Sequence, residues 1–192
     1  MDSKIELNVE GPFCWVCNNT IFNAPESDLS GLYIFSIETH NGYLIEYVGI
    51  TTRSFFERLC EHTREFLSGG YKIYEYEKFI KGVRASLWNG RFGKNKEKDV
   101  TKFLTRYGTL TSALLKQLGA YRVFVIPITD GRIAERLEGE MYQILKTSKL
   151  KQVREFIDNE VQYKVRESNE KPIKVKINSQ DTLLGLSSEF SI

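Results

Sequence analysis

The sequence predicts an α+β fold: a small antiparallel or mixed three-stranded central sheet flanked by helices, with a helical insertion and a C-terminal extension. Three observations predict it. Two β-branched and aromatic runs, GLYIFSI at 31–37 and YLIEYVGI at 43–50, flank the dipeptide Asn41-Gly42. A near-continuous apolar run, YRVFVIPIT at 121–129, reads as a covered central strand. Segments of helical period follow the second and third of these runs. The boundaries drawn from these patterns are an N-terminal extension at 1–30, a central domain at 31–147 with an insertion at about 71–120, and an extension at 148–192 packed on the same domain.

Each element has a local reason. Asn41-Gly42 tolerates positive φ at both central positions of a hairpin turn, so the first two strands are expected to pair antiparallel. With period two, Tyr33, Phe35 and Ile37 share one face, and Tyr43, Ile45 and Tyr47 share a face of the partner; the register stays open. Ser54-Phe-Phe-Glu57 has the form of a capping box, so a helix starts at Ser54, and Gly69-Gly70 ends it. Phe55, Leu59 and Phe66 form its apolar stripe, with Arg58 and His62 four residues apart on one flank.

The region 71–120 reads as a mostly helical lobe, with a turn or loop over 89–98 and a helix at 111–121 stopped by Gly119. Asp130-Gly131 turns the chain into a helix at 133–146, with Ile133, Leu137, Met141 and Ile144 on its apolar face. Three glutamates ride on it. Glu140 reads as solvent-facing and Glu135 as intermediate, while Glu138 lies at the apolar edge beside Leu137, Met141 and Tyr142. A carboxylate there needs a cation or hydrogen bond, so either a buried salt bridge or a metal ion is expected at Glu138. Beyond it, a helix over 149–160, the strand-like pair QYKVRE and PIKVKI, and a Ser-rich tail fit sheet extension, target recognition or a dimer surface.

Composition narrows the classes. With 41% hydrophobic and 27% charged residues, the chain is ordinary for a globular protein, and no apolar run is long enough to span a membrane. The acidic, polar start MDSKIELNVE resembles neither a secretory signal nor a transit peptide, so a cytoplasmic location is expected. Three cysteines are too few for a disulfide framework, and Cys14-Trp-Val-Cys17 reads as two small, partly buried side chains rather than a zinc site. The net charge of +2 is unevenly spread: residues 78–106 hold nine Lys and Arg against two acids, interleaved with Phe79, Trp88, Phe92 and Phe103. On charge alone this is equally a solvated helical face or a phosphate-backbone surface.

Gly31-Leu-Tyr33, thirteen residues, Tyr47-Val-Gly49, then Arg58-x-x-x-His62 on a helix, then a strand and a helix bearing Leu-Glu138-x-x-Met, resemble the GIY-YIG nuclease superfamily. The resemblance covers about residues 31–146 and is looser, but present, to the stand-alone, restriction-enzyme-like members. It implies a metal-dependent DNA endonuclease using one Mg²⁺ or Mn²⁺ ion per active site, with double-stranded DNA as partner and no membrane. By the same resemblance Glu138 holds the metal, Tyr33 takes or orients the proton of the attacking water, and Tyr47 bonds the scissile phosphate or that water. Arg58 holds the phosphate, and His62 positions Tyr33 or relays its proton.

Two departures stand out. The spacing between the first two motifs is slightly long, and the Asn that often follows the Glu is missing, with Gln152 as a substitute for substrate binding. Given a nuclease core, Arg84, Arg91, Lys94, Lys96 and Lys98 of the basic block are expected to contact DNA. Cutting both strands with one site per chain favours a homodimer. The other readings are a nicking, repair or mobile-element nuclease, and a non-catalytic DNA-binding protein that keeps the fold.

Overall fold

A computed structural model of the protein describes residues 3–91, 100–158, 160 and 162–192. The N-terminal extension is itself sheet. Strands β1 (Ser3–Asn8) and β2 (Glu10–Cys14) precede two short 3-10 turns, Ile21–Asn23 and Pro25–Asp28. The hairpin follows as β3 (Gly31–Thr39) and β4 (Gly42–Thr51), paired antiparallel as expected. Its turn sits one residue earlier than the Asn-Gly rule suggests: Thr39 pairs with Gly42, so His40 and Asn41 form the loop, and the positive φ falls on Gly42 alone.

Ser54 caps α1 (Phe55–Leu67) with both halves of the capping box in place. The insertion is less helical than its sequence implies. It holds a two-stranded ribbon, β5 (Ile73–Tyr74) with β6 (Ser86–Trp88), around the short α2 (Tyr76–Phe79), and then α3 (Val100–Thr105) and α4 (Tyr107–Ala120). The third predicted strand is β7 (Tyr121–Pro127), and α5 (Gly131–Lys146) begins at Asp130, whose carboxylate caps the Arg132 and Ile133 amides. After α6 (Lys151–Phe156), only the second of the two strand-like segments forms a strand, β8 (Ile173–Asn178). Part of the Ser-rich tail becomes β9 (Glu189–Ser191).

The α+β class holds, and the central sheet gains a strand. Its order is β2-β7-β3-β4, antiparallel throughout, four strands where three were expected. The extra strand comes from Glu10-Gly-Pro-Phe-Cys, whose Gly-Pro step breaks the alternation by which strands are read. A second sheet, β1-β8-β9, joins the two ends of the chain, with β1 and β8 parallel. Cys14 and Cys17 also depart from expectation: they form a disulfide, while Cys60 is free. Trp15, between them in sequence, is buried against Phe35 and donates its indole N–H to Thr63 of α1 at 2.9 Å.

Strand β4 ends the central sheet, and its outer edge is occupied. Tyr43 pairs with the segment around Thr182 and Leu184, the Tyr142 hydroxyl bonds both polar groups of the Val48 backbone, and the Asp158 amide donates to the Glu46 carbonyl at 2.7 Å. No helix among the described residues is long and apolar enough to cross a membrane.

Candidate active site

Tyr33 lies on the strand flanked by both β4 and β7 and is fully buried. Its hydroxyl sits 2.8 Å from His62 Nε2 and accepts Arg58 Nε–H at 3.1 Å. Two residues one helical turn apart on α1 therefore converge on one phenol. Arg58 is steadied by Glu61 at 3.0 Å, whose carboxyl is held down to about 2 by hydrogen bonds from Arg53 and Arg58. The Tyr47 ring lies 6.0 Å from that of Tyr33 and stacks on Phe35. Gly49 stands directly opposite Tyr33, and a Cβ there would come within 2.6 Å of the Tyr33 hydroxyl and the Tyr47 ring. The glycine of the second motif is thus clearance for two phenols.

The Tyr33 hydroxyl accepts from Arg58 and also meets Tyr47, and the direction of its bond to His62 Nε2 follows the imidazole tautomer, the phenol donating when the ring proton is on Nδ1. Nδ1 is buried and has no partner among the described residues. Burial, and then the charge of Arg58, push the imidazole pKa down to about 3, so His62 rests neutral. Burial and Tyr47 hold the Tyr33 phenol well above its ordinary 10 against the opposing pull of Arg58. The resting cluster is a neutral phenol and a neutral imidazole beside one guanidinium.

Glu138 comes from α5, which Tyr142 pins to β4 one turn further on. Its residue is 8% exposed, and no hydrogen bond or ion pair reaches its carboxylate among the described residues. Burial, and then Glu135, push it up to about 7, while Glu135 itself is tied to Arg132 and Lys164. The expected salt bridge at Glu138 is therefore absent among the described residues. Tyr47 feels this carboxylate: burial raises its phenol first, and the Glu138 charge adds to the rise.

A desolvated carboxylate with no cation of its own fits a hard dication that keeps most of its water. Among the described residues no group of three or more His, Cys, Asp and Glu is arranged to hold a metal, so an ion at Glu138 would take most of its ligands from water or substrate.

The remaining predicted residues scatter. Arg84 turns inward instead of toward DNA: it donates to the Tyr74 hydroxyl and the Ile157 carbonyl and pairs with Glu46 and Asp158. Arg91 stays half-buried at the end of α1, where it donates to Ser68. Lys94, Lys96 and Lys98 lie outside the described residues. Gln152 donates to the Lys81 carbonyl of the insertion and abuts Gly82, so its amide joins neither Tyr33 nor Glu138.

One residue was missed. Between Phe35 and Ser36 the β3–β4 register slips, leaving Glu46 as the extra residue of a bulge. The slip sets Tyr47 on the face of Phe35 and leaves Ile45 opposite Ser36, so Tyr47 does not share a face with Ile45 and Tyr43. Glu46 is buried beside Tyr47, accepts from the Tyr121 hydroxyl and lines a cavity with Tyr47 and His62. A lone charge in the apolar run YLIEYVGI was the available signal, the same one that drew attention to Glu138.

No protein-family model, curated protein or solved structure matches this chain.

Proposed function

We infer that the chain is a metal-dependent DNA endonuclease, in the manner of a type II restriction-like enzyme. The observation that carries the reading is the convergence of the Tyr33 hydroxyl, His62 Nε2 and Arg58 Nε in one hydrogen-bonded cluster, with an unpaired buried carboxylate on the adjoining helix. Arg58 keeps a guanidinium face beyond its bond to Glu61 and would hold the scissile phosphate. The Tyr33 oxygen, next to that phosphate, would orient the attacking water and take its proton as its own O–H passes to His62 Nε2. The phosphate assists this transfer. Burial depresses the imidazole most and Arg58 adds to it; a bound anion would offset the Arg58 part and so favour proton transfer to His62 when substrate is present. Tyr47 would steady the water or a phosphate oxygen. A divalent cation at Glu138 would polarise the phosphate and stabilise the leaving oxygen. Cutting both strands would use two copies of the chain.

The test is incubation of supercoiled plasmid and bacteriophage DNA with the purified protein in Mg²⁺, Mn²⁺ or EDTA, alongside Glu138→Ala. Discrete fragments that require metal and fall about 10³-fold or more in the variant are expected. Nicks or smears would instead favour a repair or mobile-element enzyme. Absence of metal-dependent cleavage on methylated and unmethylated DNA alike would refute the enzyme reading.

A further inference from the structure

Beside the Tyr33 cluster lies a cavity of about 200 Å³, which shares His62 and Tyr47 with it as a common wall. It is below the ~300 Å³ at which pockets for drug-sized ligands begin and suits a single flat ring system. Its buried walls are aromatic: Phe35, Tyr74 and Tyr121. Half-buried Tyr47 and Tyr71 stand nearer solvent. The polar groups are lopsided, three carboxylates (Glu46, Asp158 and Glu160) against the single ammonium of Lys72.

That ammonium is already spent on Glu160 Oε1 at 2.7 Å. Asp158 Oδ1 accepts from the Glu160 amide and faces Arg84, while Asp158 Oδ2 and Glu160 Oε2 accept from no described residue. Such a lining repels phosphate. It matches a neutral ring that stacks on phenols and donates N–H groups to carboxylates.

Geometry supplies the link to the adjoining cluster. The β4 bulge turns Glu46 and Tyr47 toward the same space, and the Arg58 charge acts on both Tyr47 and Tyr71 of the cavity wall, so a phosphate on Arg58 would lie beside this cavity. A nucleotide whose phosphate lies on Arg58 has its own or the neighbouring base within reach of the cavity. Enzymes that handle a base outside the helix hold it in this way, between aromatic faces with its edge hydrogen-bonded.

We propose that this cavity receives an unstacked base of the substrate strand, one bearing an exocyclic amino group, so that cleavage occurs beside a nucleotide turned out of the duplex. The assignment rests on the nucleic-acid reading of the adjoining site. Adenine, cytosine and guanine offer the amino group to Asp158 and Glu160; thymine offers a single N3–H between two carbonyl oxygens that the carboxylates repel, and is disfavoured.

The test is binding of the four deoxynucleoside 5′-monophosphates to the full chain in EDTA, by calorimetry, with cleavage measured separately. At least one amino-bearing nucleotide is expected to bind tenfold or more tightly than dTMP. Asp158→Asn combined with Glu160→Gln should erase that preference, and Tyr71→Ala should weaken all binding. Equal affinity for all four nucleotides, no saturable binding, or a preference untouched by the double variant would each overturn the proposal. The discrimination by the unaltered protein decides the matter even if a variant fails to fold. Cleavage with no base preference would sink the pocket and leave the nuclease; a base preference with no cleavage would do the reverse.

Discussion

Two clusters in this molecule are built from nearly the same parts. In one, Arg58 donates its Nε–H to the buried hydroxyl of Tyr33; in the other, Arg84 does the same to the buried hydroxyl of Tyr74. Their surroundings differ. Arg84 also meets the Ile157 carbonyl, Glu46 and Asp158, and its side chain is 14% exposed. Arg58 has one carboxylate, Glu61, and its side chain is 30% exposed. The first guanidinium is saturated from within and acts as a strut between β4, the insertion and the chain after α6. The second, Arg58, meets fewer partners among the described residues and stays partly exposed. The same contrast separates the buried glutamates: Glu46 has a phenol and a guanidinium, and Glu138 has neither among the described residues. Internal saturation marks structure; an unmet valence marks a place for something that comes from outside.

The sharpest way to break this comparison is to remove each arginine. Arg58→Ala is expected to lower DNA cleavage about 10³-fold while costing under about 1 kcal/mol of stability, since its ion pair is partly exposed. Arg84→Ala should do the opposite, losing about 3–5 kcal/mol in urea unfolding because Glu46 is left buried without its cation. If both variants lose stability alike, the distinction is wrong. Tyr33→Phe sharpens it further. It deletes only the hydroxyl that joins His62 to Arg58, and cleavage should fall about 10²-fold with the fold retained.

Glu138 offers a titration. Its folded pKa of about 7 lies above its ordinary 4.5, so protonation favours the fold. The contribution is complete below about pH 4.5 and lost as pH rises through 7. In EDTA at pH 8, Glu138→Gln should exceed the unaltered protein by about 2 kcal/mol, with no advantage at pH 4.5, as read from denaturation at both pH values. Added Mg²⁺ should narrow the gap at pH 8 by stabilising only the protein that keeps the carboxylate. The smallest effect belongs to Gln152→Ala. It loses one exposed bond to Lys81 and should shift stability by under about 0.5 kcal/mol and leave cleavage unchanged.

What could be read from sequence follows the range of the forces involved. The capping box at Ser54 and the spacing of Arg58 and His62 are local, and both hold in the structure. Glu138 stands out because its neighbours along the helix are apolar, again a local property. The fourth sheet strand, the bulge at Glu46 and the inward turn of Arg84 depend on register and on partners far away in sequence, such as Ile157 for Arg84. Charge counting treated Arg84 as one more surface cation, because composition carries no information about whether a guanidinium meets a carboxylate or water. The insertion misled for a related reason: the ribbon β5–β6 is too short to show an alternation.

The parallel pairing of β1 with β8 has a consequence in time. Asn8 and Asn178 meet across 170 residues of chain, so a polypeptide leaving the ribosome must hold β1 without this partner until β8 has emerged. The Tyr33–His62–Arg58 cluster lies wholly within residues 33–62 and needs none of that closure. Assembly therefore has two clocks, an early one that can bring Tyr33, Arg58 and His62 together and a late one that pairs β1 with β8.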